Sequence, residues 1–213
     1  MVNETGRSDG FVIEPAVLAA AAVVLVRHAA FEVNEDATGR RREVLTAAGR
    51  ERAEALASAL AAVERPLVLY SSPQARAVAT ARPLATASGQ PVYVDEDLAE
   101  LRLALSADVD VGNRSAEAWR QARRHPELPP LPGAESLAAV QRRALACLRG
   151  SVRANPGRLV VAVTHGGVME TVWLAISGYG FDVLPRQRFE PEPGTFLTLE
   201  SLTEATESGA KRL

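Results

Sequence analysis

The apolar residues of this chain fall into short unbroken runs, separated by stretches in which they recur every three or four positions. Val23-Val24-Leu25-Val26 is β-branched and aliphatic throughout, without the alternation of a half-exposed strand. Such a run predicts a strand buried on both faces of a parallel sheet. Leu67 to Tyr70, Val92 to Val94 and Leu159 to Val163 read the same way, each beginning just after turn chemistry at Pro66, at Gly89-Gln90-Pro91 and at Asn155-Pro156-Gly157. Phe196 to Leu199 alternates weakly and is a candidate edge strand.

The stretches between these runs have helical spacing. After Thr46, a suitable N-cap, Ala53, Leu56, Leu60 and Val63 form one apolar stripe. Ser72-Pro73 predicts the cap and first turn of a helix reaching about Ser88, because proline fits the first helical position. Gly133-Ala134-Glu135-Ser136 introduces a third helix with Leu137, Val140, Ala144 and Leu148 on one face, and Val168 to Ile176 form a fourth after Gly166-Gly167. Alternating strands and helices predict an α/β fold, a three-layer sandwich with a mostly parallel central sheet and helices on both faces. Residues 103–132 break the rhythm with Trp119, four arginines and four prolines, which predicts an insertion over one end of the sheet.

Composition narrows the class. The chain has 213 residues, 47% of them apolar and 23% charged, and 24 Lys plus Arg face 26 Asp plus Glu. These values exclude a disordered chain and a basic nucleic-acid-coating domain. The single cysteine, Cys147, has no internal disulfide partner, and no zinc-type Cys/His spacing occurs. The apolar run from Ala16 to Val26 is too short to cross a bilayer, and an acidic rather than basic segment precedes it. Residues 1–21 are therefore expected to be a disordered or loosely attached extension, and residues 22–213 a cytoplasmic domain. Nothing in the sequence signals its oligomeric state.

Two of the three histidines, His28 and His165, directly follow buried-type strands. Ligands of open α/β sheets bind beyond the carboxyl ends of the strands, so both rings are expected in one crevice. Arg27 adjoins the first histidine, Arg76 falls in the first turn of a helix, and Gly166-Gly167 opens another. Guanidinium groups and helix N-termini both bind anions.

Beyond these placements, the chain resembles the histidine phosphatase superfamily, in its phosphoglycerate mutase-like branch. The likeness runs through Val24 to Ala29 around Arg27-His28, Asn34, Gly39-Arg40, Leu45 to Arg50, Tyr70 to Pro73 with Arg76-Ala77 and Thr80-Ala81, Leu98-Ala99-Glu100, Pro132 with Gly133 and Glu135-Ser136, and Thr164 to Gly167, in the family's order. The resemblance implies that His28 is a nucleophile forming a phosphohistidine. It also implies that Arg27, Asn34, Arg76, His165 and Gly166 bind the phosphoryl group, that a protonated His165 adds positive charge, and that Glu100 donates the proton to the leaving oxygen, with Asp97 as fallback. A neutral nucleophilic His28 should donate its other ring proton to a backbone carbonyl, and Glu100 needs a raised pKa to act as an acid near neutrality.

The expected activity is metal- and cofactor-independent hydrolysis of a small phosphate monoester, without nucleic-acid or membrane partners. The alternatives are a mutase-type phosphoryl transferase and a phospho-ligand binding module without turnover. The chain departs from the family pattern at Ala29 in place of glycine, at Ala30-Phe31 in place of Glu-Thr, and at Arg52 in the region of a usual glutamine. Candidate rim residues are Phe31, Arg102, Trp119, Arg120, Arg124, Tyr179, Arg186 and Arg188.

Overall fold

The computed structural model describes residues 21–35, 37–102 and 120–181 and the backbone of 196–199. The strands are β1 (Val23–Arg27), β2 (Phe31–Glu35), β3 (Arg41–Leu45), β4 (Leu67–Ser71), β5 (Val92–Val94), β6 (Leu159–Thr164) and β7 (Phe196–Leu199). The helices are α1 (Ala47–Ala61), α2 (Ala75–Ser88), α3 (Leu137–Ala154) and α4 (Gly166–Ile176). The central sheet has the order β5-β4-β6-β1-β7, with four parallel strands and β7 antiparallel at the edge beside β1.

Every strand of the sheet was expected from the sequence, and each face is covered by helices. Because side chains alternate along a strand, Val24 and Val26 of β1 pack with Leu56 and Leu60 of α1 and Ala77, Ala81 and Leu84 of α2. Val23 and Leu25 face the opposite layer, where Val140, Ala144 and Leu148 of α3 meet Met169 and Val172 of α4. The three-layer expectation therefore holds. Thr46 and Ser136 cap α1 and α3 as the sequence suggested, accepting from the Gly49 and Ala139 amides at 3.0 and 3.2 Å.

Three features differ from expectation. The two-stranded hairpin β2–β3 was not foreseen: its residues are mostly charged and exposed and carry no apolar run. α2 begins at Ala75 rather than at Ser72-Pro73. Ser72 is fully buried, and its hydroxyl meets the ring of His165 rather than starting the helix. Ala21, placed with the extension, is buried in the core, and its carbonyl accepts from Arg65 at 2.8 Å.

Residues 1–20 and 103–119 lie outside the described residues. The remainder of the expected insertion is helical at 120–124 and packs on the α3/α4 layer through buried Ala122 and an Arg123–Glu170 ion pair at 2.9 Å.

Candidate active site

The parallel strands end in register, which brings residues remote in sequence to one edge. Arg27 pairs with Thr164, and Ser71 with Val163. The chain then continues into His28, Ser72 and His165, tied together by His28 N–H donating to the Thr164 carbonyl and Ser72 N–H to the Val163 carbonyl, both at 2.9 Å. After β5, a single 3-10 turn (Glu96–Leu98) leads to Glu100, and the Thr164 hydroxyl anchors this turn by donating to the Leu98 carbonyl at 2.7 Å.

The two histidine rings lie with centroids 5.1 Å apart, and both residues are buried. His28 Nδ1 is 3.0 Å from the Ala29 carbonyl, which only accepts. The ring proton therefore sits on Nδ1, and Nε2 keeps its lone pair. Burial first, then the nearby Arg76 and Arg27, push the His28 pKa down to about 4 against the opposing hydrogen bond to Ala29 and the charge of Glu43. His28 is neutral at physiological pH.

His165 has the other tautomer. Arg76 Nη2 donates to its Nδ1 at 3.2 Å, since a guanidinium has no acceptor, so the proton lies on Nε2 and is donated to the Ser72 hydroxyl at 2.8 Å. Burial, Arg76, His28 and Arg27, in that order, bring its pKa down to about 2. Full burial and two guanidiniums close by favour the neutral ring, against the charge expected of His165 above, and leave arginine as the source of positive charge.

Arg76 is held on several sides. Its Nη1 forms an ion pair with Glu43, its Nη2 also reaches Gln74 Oε1 at 3.3 Å, and its guanidinium carbon lies 4.9 Å from the Phe31 ring centroid. Phe31 in turn meets His28 edge-on at 5.3 Å, so the aromatic substitution in the family pattern forms one wall of the pocket. Arg27 lies against α4. A Cβ at Gly166 would approach its guanidinium carbon to 3.4 Å, so the glycine leaves room for the arginine.

Glu100 closes the group. Its two carboxylate oxygens accept from the Leu101 amide at 3.0 Å and the Gly167 amide, in the first turn of α4, at 3.3 Å. Those amides and the two arginines favour the carboxylate, but desolvation outweighs them and raises its pKa above the ordinary value. Asp97 by contrast is exposed on the outside of the turn. Asn34 is exposed on the hairpin with its amide turned to Glu32 at 3.4 Å, and no contact joins it to the histidines among the described residues. Of the rim candidates, Arg102 is exposed and pairs with Glu96, and Tyr179 stacks on Trp173 beyond the far end of α4. Trp119, Arg186 and Arg188 lie outside the described residues.

Sequence reasoning missed the groups that hold these side chains in place. Thr80 Oγ1 accepts from the Ala29 amide at 2.9 Å and donates to the Arg76 carbonyl at 2.7 Å. Arg143 of α3 grips Glu135 and donates to the Asp97 and Ala99 carbonyls at 2.5 and 2.8 Å, fixing the turn that carries Glu100. Only the Thr80-Ala81 pair of the family pattern pointed towards either. Among the described residues, no group of three or more His, Cys, Asp or Glu side chains is arranged to hold a metal ion.

Known proteins share this arrangement of strands and loops. The family model of the histidine phosphatase superfamily (branch 1) matches residues 23–203. A glucosyl-3-phosphoglycerate phosphatase of Mycolicibacterium vanbaalenii is 34% identical over 179 residues, covering 76% of this chain and 77% of that protein. A metal-independent phosphoserine phosphatase of Arabidopsis thaliana is 30% identical over 172 residues, covering 73% of this chain and 68% of the relative. The solved native structure of a mycobacterial glucosyl-3-phosphoglycerate phosphatase superposes with a TM-score of 0.61 at 26% identity, over 82% of this chain and 87% of that one. The chain belongs to branch 1 of the histidine phosphatase superfamily and is a phosphoric monoester hydrolase.

Proposed function

We propose that this protein hydrolyses the phosphate monoester of a small metabolite through a phosphohistidine on His28, without a metal ion, in the cytoplasm. The observation that carries the reading is the committed tautomer of His28: its one ring proton is on Nδ1 against Ala29, leaving an Nε2 lone pair in a buried site shared with His165 and two arginines. Nε2 attacks phosphorus, and Arg27 and Arg76 neutralise the oxygens in a reaction that depends on positioning and charge. The bond from phosphorus to the alkoxy oxygen breaks as Glu100 gives that oxygen its proton. In the second half, Glu100 as carboxylate takes a proton from water, the water oxygen bonds to phosphorus, and the P–N bond breaks to release phosphate and neutral His28.

The relatives' names point to alkyl phosphates, glucosyl-3-phosphoglycerate and phosphoserine, whose alkoxides are poor leaving groups. A site with a raised-pKa carboxyl suits that class. The test is Glu100→Gln, with the phosphorylation step followed by rapid quench. General acid catalysis is worth about 10²- to 10⁴-fold. The variant should lose roughly that factor on phosphoserine and little on p-nitrophenyl phosphate, whose phenolate leaves unaided. Equal losses on both substrates would remove Glu100 from the acid role, and failure to trap label on His28 would remove the covalent mechanism.

A further inference from the structure

The anion-binding position of Arg76 is already taken, and by a side chain of this chain. Glu43 lies on β3 of the exposed hairpin, yet one of its oxygens pairs with Arg76 Nη1 and the other accepts the Arg76 backbone N–H at 3.1 Å. That amide belongs to the first turn of α2, whose N-cap, Gln74, offers no side-chain cap of its own. A guanidinium combined with a helix N-terminal amide is the donor set that an oxyanion of phosphate would use. We propose that Glu43 is a resident carboxylate that competes with phosphate for Arg76 and the N-terminus of α2, and thereby weakens the hold of the site on inorganic phosphate. This rests on the phosphate-binding role proposed for Arg76 above and specifies how that role is tuned.

Arg76 does not depend on Glu43 for its position. Its Nη2 is fixed by Gln74 and His165, Phe31 lies beside the guanidinium, and the side chain is only 13% exposed. Its Nε is buried with no acceptor among the described residues, so the group has donor capacity left for an anion. Removing Glu43 therefore opens an anion position without dislodging the arginine. The carboxylate also has somewhere to go. It is 27% exposed and lines a groove of about 1290 Å³ together with Arg41, Arg50 and Arg82, which offer other cationic partners when phosphate takes Arg76.

The consequence concerns turnover. Inorganic phosphate and the substrate's phosphoryl group meet the same cations, so a resident anion weakens both alike, and phosphate, with no leaving group to add contacts, keeps the weaker hold. Release of product is a common limit on turnover, and a competing carboxylate shortens the residence of phosphate at the expense of a higher KM.

The experiment is calorimetric titration of inorganic phosphate into wild-type protein and the Glu43→Gln, Glu43→Ala and Arg76→Ala variants, with phosphate inhibition of p-nitrophenyl phosphate hydrolysis measured alongside. Glutamine keeps the shape and an acceptor for the amide but removes the charge. Glu43→Gln should bind phosphate about tenfold more tightly or better, with KM falling in step, and Glu43→Ala should move the same way. Unchanged or weaker phosphate binding in folded Glu43 variants would make Glu43 a support for Arg76 and overturn the proposal. Failure of both variants to fold would make it a structural cap and overturn it equally. If Arg76→Ala bound phosphate as well as wild type, the phosphate site itself would be misassigned, a separate failure.

Discussion

Thr80 offers a direct measure of how far the His28-Ala29 loop depends on α2. Its hydroxyl is the acceptor for the Ala29 amide, and the residue is 1% exposed, so no water replaces it when it is removed. Thr80→Val changes little in volume but leaves the Ala29 N–H buried without a partner. The Arg76 carbonyl, which also receives the Thr80 hydroxyl, keeps its helical N–H. The loss is therefore close to one orphaned amide, about 1–3 kcal/mol. For a chain of this size that corresponds to roughly 2–4 °C in Tm per kcal/mol. Activity should fall as well, because the Ala29 carbonyl that fixes the His28 tautomer follows immediately on the freed amide. If about 1 kcal/mol of the loss is expressed in the transition state, kcat/KM drops about fivefold. Thr80→Ser, which keeps the hydroxyl, should recover most of both effects. Calorimetric melting with steady-state kinetics on an alkyl phosphate decides it. A Thr80→Val protein with wild-type Tm and kcat/KM, or a Thr80→Ser protein as impaired as the valine variant, would refute the reasoning.

Two further outcomes follow from the same wiring. Arg143→Met frees the turn that Arg143 ties through the Asp97 and Ala99 carbonyls, so it should lower kcat on alkyl phosphates more than on p-nitrophenyl phosphate, a partial copy of Glu100→Gln; equal effects on both substrates would make its role purely structural. On pH, His28 and His165 are neutral when folded down to about 4 and about 2, while unfolded histidine titrates near 6.5. The unfolded chain therefore binds the extra protons first, and stability falls as pH drops below about 6.5, by up to roughly 2 kcal/mol per histidine at pH 5. Glu100, with its raised pKa, acts in the opposite sense, adding stability at low pH that is lost as pH rises through its folded value. Urea midpoints should fall from pH 7 to pH 5, less steeply in His28→Ala; a flat profile in the wild type would contradict the burial argument.

Legibility followed burial. β1, β4 and β6 sit inside the sheet with helices on both faces, so their sequences are unbroken apolar runs. His28 and His165 were found because each directly follows such a run. The hairpin leaves no such trace: Glu32, Glu35, Arg41 and Arg42 are exposed, and its ties to the site, Glu43 and Phe31 against Arg76, join residues far apart in sequence. Gly49 shows the same limit. It reads as an ordinary glycine in a helix, yet a Cβ there would come within 2.1 Å of the Ala30 carbonyl, because α1 presses directly on the loop that follows His28. Thr80, Arg143 and Glu43 all act on residues far from them in sequence, and no local periodicity reports such partners.

The neutral His165 changes how charge reaches the reaction. Two histidines and two arginines suggest a surplus of positive charge in the sequence, but crowding defeats it: each arginine depresses the histidines, and each buried ring resists protonation. What remains is two guanidiniums, one of them bound to Glu43. An incoming phosphate dianion alters that balance. On the proposals above it would displace or repel Glu43, and its own charge would favour protonation of the rings that the arginines keep neutral. On the mechanism proposed above, a proton on His165 would then arrive with the substrate instead of waiting for it, and an unprotonated His28 would serve as the nucleophile. The proposed site would thus be neutral where nucleophilicity needs it and become more cationic only with the group to be transferred in place.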